Sequence, residues 1–317
     1  MKYFFSCDWG TSSFRLRLVE TGGAKMVSSI ETGHGIASAF DGWKQAGHSE
    51  SERPLFFKRY LSEQVEKISS TYNEMVHGAP VVLSGMASSS IGLFELPYRK
   101  IPFHCDGSDL LVHRIPGDDT FTNDIILISG AKSEIDVIRG EETMLAGCVL
   151  PNDAEQLLIF PGTHSKHIRV KGGKVQDINT FMTGELFNLL SSKSILSNSV
   201  EKDSGDSEAD VFFIKGVKEG SASNLLNSIF HVRTNQLFKK MTAFENYHYL
   251  SGLLIGYELQ EITKDQPVAT TLVCGEGLKK TYLQALDVLG LGATSCLDAD
   301  EVLVKGQLQI LGQRGYL

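Results

Sequence analysis

The chain reads as an α/β protein built from two duplicated lobes. Strand-like and helix-like stretches alternate along its length. A hydroxyl-bearing glycine turn, Gly10-Thr11-Ser12-Ser13, recurs loosely as Gly162-Thr163-His164-Ser165. Each copy leads into a strand-like stretch (14–18 and 166–170), a Gly-Gly turn (Gly22-Gly23 and Gly172-Gly173) and a Thr-Gly pair (Thr32-Gly33 and Thr183-Gly184). One copy lies at the start and one near the middle. The expected division is therefore 1–153 and 154–317, with the polar stretch 151–155 as boundary and hinge, and a ligand between the lobes.

Apolar runs and alternation place strands at 2–7, 14–20, 25–31, 80–84, 124–128, 156–160, 166–170, 174–181 and 270–274. Leu55, Phe56, Tyr60, Leu61, Val65, Ile68 and Tyr72 form a helical stripe within 51–76. Further helices are expected at 132–148, 184–196, 209–219, 221–231, 233–262, 276–289 and 298–311. The last is expected to return to the first lobe, with Asp298 as its N-cap. The polar segment 197–208 reads as a mobile loop.

The recurring turn has an evident chemistry. Glycine lets the backbone bend sharply and approach a ligand, while successive N–H groups and hydroxyls make a concave anion site. The apolar stretch 3–7 delivers Asp8 beside the first turn. A carboxylate next to phosphate is repelled unless a cation lies between them, so Asp8 implies Mg²⁺. The second copy has Phe160 at the corresponding place, so the lobes are not equivalent.

Composition narrows the alternatives. The chain has 317 residues, 42% of them hydrophobic, enough for two cores. A formal net charge of −8 argues against nonspecific nucleic-acid binding. The five cysteines form no CxxC or His/Cys cluster and read as reduced residues of a cytoplasmic protein. No stretch nears the roughly 20 apolar residues of a membrane span, and the N-terminal apolar run, broken at Asp8, does not read as a signal peptide. A P-loop signature is absent. Gly275-Glu276-Gly277 follows a strand, but the third glycine of a dinucleotide fingerprint would fall at Lys280.

An early Asp-bearing glycine turn, a second such turn in mid-chain and a late strand–glycine turn–helix follow the order of the actin-like (ribonuclease H-like) ATPase superfamily, with mixed-sheet domains. The motifs Asp8-Trp9-Gly10-Thr11-Ser12-Ser13-Phe14-Arg15, Ser84-Gly85-Met86 and Arg139-Gly140-Glu141-Glu142-Thr143 narrow this further, as do Pro161-Gly162-Thr163-His164-Ser165-Lys166 and Cys274-Gly275-Glu276-Gly277-Leu278. Together they resemble the 2-dehydro-3-deoxygalactonokinase family over essentially the whole chain. The resemblance implies ATP-dependent phosphorylation of 2-dehydro-3-deoxy-D-galactonate at its 6-hydroxyl, in galactonate catabolism. Another sugar kinase of this fold, or a switching ATPase, is the alternative. Oligomeric state is left open, a homodimer included.

Roles follow from that resemblance. Asp8 is the Mg²⁺-linked carboxylate. Gly10, Thr11, Ser12 and Ser13, with Gly162, Thr163, His164, Ser165 and Lys166, are candidates to hold ATP phosphates; Gly275, Glu276 and Gly277 are candidates to meet adenosine. Glu141 opens a helix after Gly140, where the helix field favours an ionised carboxylate; it is the candidate base, with Asp136 the alternative. Glu142 is expected to support it. Arg139 is a candidate to grip the substrate carboxylate, and Arg15, Gly33, Ser84, Gly85 and Met86 are candidate sugar-acid contacts.

Overall fold

The structure is a computed structural model that describes residues 1–72, 76, 78–150, 155–202, 209–263, 268–293 and 295–317. In chain order its elements are β1 (Tyr3–Trp9), β2 (Phe14–Glu20), β3 (Lys25–Thr32), α1 (Ile36–Gln45), α2 (Arg53–Tyr72), β4 (Val81–Gly85), β5 (Arg99–Lys100), β6 (Phe103–His104), β7 (Val112–Ile115) and β8 (Ile125–Ile128). Next come β9 (Ala131–Lys132), β10 (Val137–Ile138), α3 (Glu141–Gly147), β11 (Gln156–Phe160), β12 (Ser165–Lys171), β13 (Lys174–Phe181), α4 (Thr183–Lys193), α5 (Ala209–Gly220) and α6 (Leu225–Leu237). The chain ends with α7 (Ala243–Thr263), β14 (Ala269–Cys274), α8 (Glu276–Val288), β15 (Ser295–Asp298) and α9 (Ala299–Gln313). Among the described residues no helix is long and apolar enough to cross a membrane.

Two compact units emerge. The first comprises 1–154, 170–178 and 299–317, and the second comprises 155–169 and 179–298. The expected boundary, 151–155, lies outside the described residues except for Glu155.

In the first unit a sheet runs β3-β2-β1-β4-β8-β7. β1 pairs antiparallel with β2 and parallel with β4. Alternation sends Phe5, Cys7 and Trp9 into a core with Ile36 of α1 and Phe57 and Leu61 of α2. Ser6 and Asp8 therefore lie on the opposite face of the sheet. There Gln307 of α9 donates through Nε2 to Ser84 Oγ at 2.9 Å and to the carbonyls of Cys7 and Val82 at 3.3 Å. α3 and α9 touch backbone to backbone: a Cβ at Gly147 would lie 1.8 Å from Val302 O, and one at Gly306 would lie 1.9 Å from Thr143 O. Only glycine permits that approach.

In the second unit β15-β14-β11-β12 are neighbours in that order, with β11–β14 and β14–β15 parallel. Its helices repeat the glycine-tight crossing. Gly216 and Gly220 of α5 meet the carbonyls of Tyr249 and Leu253, while Gly252 and Gly256 of α7 meet those of Phe213 and Val217; any added Cβ would sit 2.0–2.2 Å from oxygen.

Two helices differ from expectation. The span 132–148 is helical only over Glu141–Gly147. Ser133 Oγ accepts the N–H groups of Ile135 and Asp136, folding a turn between β9 and β10. Gly140, at φ +115°, then resets the chain before α3. The helices expected at 221–231 and 233–262 are α6 and α7, but the first helical run continues to Leu237 and does not stop at 232. Lys239 at φ +53° breaks it, and a capping box restarts it: Thr242 N–H donates to Glu245 at 2.7 Å and Glu245 N–H donates to Thr242 Oγ1 at 3.2 Å. In the expected loop 197–208, residues through Ser199 belong to a 3₁₀ turn (Ile195–Ser199), and 203–208 lie outside the described residues.

Candidate active site

In the first unit the Gly10–Ser13 turn joins β1 to β2, closed by Gly10 N–H donating to Ser13 O at 2.9 Å. Thr11 and Ser12 are exposed. The start of α1 braces the turn from behind. Ile36 N–H donates to Gly10 O (2.9 Å) and Ala37 N–H to Thr11 O (3.1 Å), and a Cβ at Gly35 would fall 2.3 Å from Thr11 O. Trp9 Nε1 donates to His34 O at 3.1 Å, fixing the segment that carries this glycine. The second unit repeats the device: Glu185 N–H donates to Thr163 O (2.9 Å), and a Cβ at Gly184 would sit 2.5 Å from Gly162 O. Gly35, not Gly33, is thus the counterpart of Gly184. Gly33 is exposed, with nothing within 4 Å of an added Cβ, and the Thr32-Gly33 pairing inferred from sequence is off by two positions.

Asp8 sits across the ladder from Arg15, with Oδ2 3.3 Å from Nη1, and Arg15 also holds Glu31 at 2.9 Å. Burial raises the Asp8 carboxyl above its usual range, and Arg15 opposes that rise. Next to it, Gly85 at φ +84° lacks the Cβ that would stand 3.3 Å from Asp8 Oδ1 and 2.9 Å from Trp9 O. A Cβ at Gly140 would in turn lie 3.7 Å from Gly85 Cα. Asp8, Gly85 and the first turn of α3 are therefore contiguous.

That turn carries two acids with different surroundings. Glu141 is half-buried and accepts Arg139 N–H at 2.9 Å. Glu142 is fully buried; it accepts Gly140 N–H on both oxygens (2.8 and 3.0 Å) and Thr143 Oγ1 at 3.1 Å. Burial, then the neighbouring Glu141, pushes the Glu142 carboxyl up to about 7. Asp136 lies beyond β10 in the Ser133–Asp136 turn, its Oδ1 accepting Val137 N–H at 2.7 Å. Arg139 donates from Nη1 to Ser88 O and Oγ at 2.5 and 2.7 Å and stacks 4.2 Å over Tyr98, while its Nε is enclosed without a hydrogen-bond partner. Met86 opens the 3₁₀ turn that follows Gly85.

Ser84 departs from expectation. It is fully buried, with its hydroxyl tied to Gln307, so it supports Gly85 from beneath and does not face a substrate hydroxyl. Ser165 and Lys166 behave alike in the second unit. Ser165 is fully buried with its hydroxyl turned inward, and Lys166 Nζ donates to His164 O at 2.9 Å. Both hold the second turn in place from below, leaving Thr163 and His164 exposed. His164 Nε2 pairs with the Glu185 carboxylate at the start of α4.

The second unit also contains a cavity of about 500 Å³, within the size range of small-ligand sites. Gly162, Thr183 and Gly184 line one side, Asp210 and Phe213 of α5 with Tyr247 and His248 of α7 another, and Gly277, Leu278 and Tyr282 of α8 a third. Lys280 reaches Asp210 at 3.1 Å across the rim. Burial holds the His248 imidazole below its usual range. Gly275 caps α8, no atom lies within 4 Å of a Cβ at either glycine, and Glu276 pairs with Lys279 at 2.8 Å. The α5 and α7 wall carries no local motif, so spacing along the chain could not reveal it.

A family model described as 2-keto-3-deoxy-galactonokinase matches residues 8–310. This chain belongs to that family. Members are kinases, phosphotransferases acting on sugar acids. A probable 2-dehydro-3-deoxygalactonokinase of Rhizobium meliloti (strain 1021) is 30% identical over 313 residues, covering 96% of this chain and 95% of the relative. A 2-dehydro-3-deoxygalactonokinase of Escherichia coli (strain K12) is 31% identical over 224 residues, covering 68% of this chain and 73% of the relative. A crystal structure of a protein described as a 2-dehydro-3-deoxygalactonokinase, from Sinorhizobium meliloti, superposes with a TM-score of 0.77 at 28% identity, covering 96% of this chain and 94% of that one. Component A of (R)-2-hydroxyglutaryl-CoA dehydratase from Acidaminococcus fermentans, at TM-score 0.50 and 12% identity over 98% and 96% of the chains, shares the fold alone. The fold is that of the actin-like ATPases.

Proposed function

We propose that the protein transfers the γ-phosphoryl group of ATP to the 6-hydroxyl of 2-dehydro-3-deoxy-D-galactonate, a step of galactonate catabolism in the cytoplasm. The observation that carries this reading is the contiguity of Asp8, Gly85 and the Glu141 turn in a chain of this family.

Phosphoryl transfer to a hydroxyl needs neutralised phosphates, a positioned nucleophile and a proton acceptor. Glu141 takes the proton from the 6-hydroxyl as that oxygen bonds to the γ-phosphorus and the bond to the β–γ bridging oxygen breaks, releasing ADP. Glu142 holds Gly140 N–H and so sets the angle at which α3 presents Glu141. The enclosed Arg139 Nε–H is an unmet donor suited to the substrate carboxylate once Tyr98 and Ser88 shift to admit it. Thr11 and Ser12 offer exposed hydroxyls to phosphate, Thr163 does so in the second unit with the His164 imidazole beside it, and the 500 Å³ cavity takes the nucleoside.

The residues fit a magnesium ion. Mg²⁺ is commonly held by one or two carboxylates, with water and substrate phosphates completing the shell. Asp8 Oδ1 faces the space that a side chain at position 85 would fill. Bound there, the ion would neutralise charge on the transferring phosphates.

The test is ADP release from the purified protein with ATP, Mg²⁺ and a panel comprising 2-dehydro-3-deoxy-galactonate, its C4 epimer, glucose and no acceptor. Turnover should require the sugar acid and favour the galactonate derivative, with phosphate on C6 by phosphorus NMR. Equal hydrolysis without an acceptor would refute the proposal.

A further inference from the structure

Glu258 lies on α7, 2% exposed, and does not line the cavity. A buried carboxylate is costly unless its acceptor sites are filled. Here four side chains from three elements fill them. Ser165 Oγ (2.7 Å) and His167 Nε2 (3.0 Å) reach Oε1, while Tyr282 OH (2.9 Å) and Thr183 Oγ1 reach Oε2. Burial keeps the Tyr282 phenol well above its ordinary range, so this hydroxyl remains a donor.

The four donors share one property of place. Ser165 ends the second glycine turn, and His167 follows it on β12. Thr183 opens α4, whose next residue is the glycine packed on Gly162. Tyr282 belongs to α8, which begins after Gly275. Thr183 and Tyr282 also line the cavity. A single carboxylate on α7 thus ties the other two sides of the cavity to its own.

We infer that Glu258 is a positioning residue for the nucleotide: it locks the second glycine turn, the start of α4 and α8 into the arrangement that receives ATP. This rests on the reading of the cavity as the nucleoside site. Glutamine at 258 keeps the shape but replaces one acceptor oxygen by a donating NH₂. Two of the four partners then face a donor, and hydroxyls among them must rotate to accept it. The network stays filled while the orientation of the cavity-lining hydroxyls changes.

The test uses full-length wild-type protein and Glu258→Gln. Calorimetry with ATP alone gives Kd; steady-state kinetics gives KM for ATP and for the sugar acid. Glu258→Gln should raise Kd and KM for ATP by about tenfold and leave KM for the sugar acid within about twofold. A purely structural role would lower the melting temperature without moving KM for ATP; that result, or equal movement of both KM values, would overturn the inference. If Glu258→Gln fails to fold, Tyr282→Phe decides. It removes one donor and should raise KM for ATP by about threefold or more, and an unchanged value overturns the inference. Absence of ATP binding by the wild-type protein would remove the nucleotide reading and this inference with it, an outcome recognisable because it needs no mutation.

Discussion

Replacing Glu142 by glutamine should change how stability depends on pH. Glu142 is fully buried, and its carboxyl is raised from an ordinary value near 4.5 to about 7. A group whose folded-state value is raised stabilises the fold fully below its unfolded value and loses that contribution as pH climbs through the folded value. Wild-type protein should therefore lose stability from about pH 4.5 to about pH 7. At 1.36 kcal/mol per pH unit the full loss is about 3 kcal/mol. Glutamine does not titrate, and its carbonyl oxygen still accepts Gly140 N–H. Any offset from its NH₂ is independent of pH and drops out of the slope. Subtracting the two profiles also cancels the contribution of Asp8, which is raised as well. Urea unfolding of both proteins at pH 5, 6, 7 and 8 measures the difference. Glu142→Gln should gain on wild type by about 2–3 kcal/mol between the ends of that range. A difference constant to within about 0.5 kcal/mol would refute the assignment of Glu142 as a burial-raised acid.

Two catalytic predictions accompany it. Asp8→Asn should lower kcat by about 100-fold or more with little loss of stability, because asparagine keeps the shape and relieves a buried charge; a Mg²⁺ titration of activity with wild-type kcat and midpoint would contradict the role given to Asp8. Glu141→Gln should lower kcat by roughly 10²–10⁴-fold while KM values move little, as expected of a general base. If Asp136→Asn shows the large effect and Glu141→Gln does not, the base is Asp136.

Much of the fold was legible because it is written in local pattern. The alternation Phe5-Ser6-Cys7-Asp8-Trp9 gives both the strand and the face that delivers Asp8. The glycine turns announced themselves by repetition. The place of the break between α6 and α7 was also written locally, in Thr242-x-x-Glu245, but the break was expected earlier, at 232. The 132–148 segment misled because its helix formers outweigh one serine, whose hydroxyl captures two backbone N–H groups and stops the helix from starting. Ser84 and Ser165 looked like ligand contacts from their place beside glycine. Their burial depends on Gln307 and Glu258, 223 and 93 residues away, and no spacing rule reaches that far. For the same reason the four partners of Glu258 could not be read from the chain.

The glycine-tight crossing of α5 and α7 has a consequence for how this protein can evolve. With each Cβ position filled by a neighbouring carbonyl, the two helices cannot slide, tilt or take larger residues at Gly216, Gly220, Gly252 or Gly256 without separating. The cavity wall they form is thus a fixed jaw, whereas the start of α8, ahead of the anchored Tyr282, opens at two glycines whose Cβ positions are empty and leaves room for larger residues. Of the residues that line the cavity, Leu278, Lys280 and Thr281 have room to vary, and Phe213 and Tyr247 have little. Sequence drift among relatives should be graded accordingly, steep on one side of the pocket and nearly flat on the other.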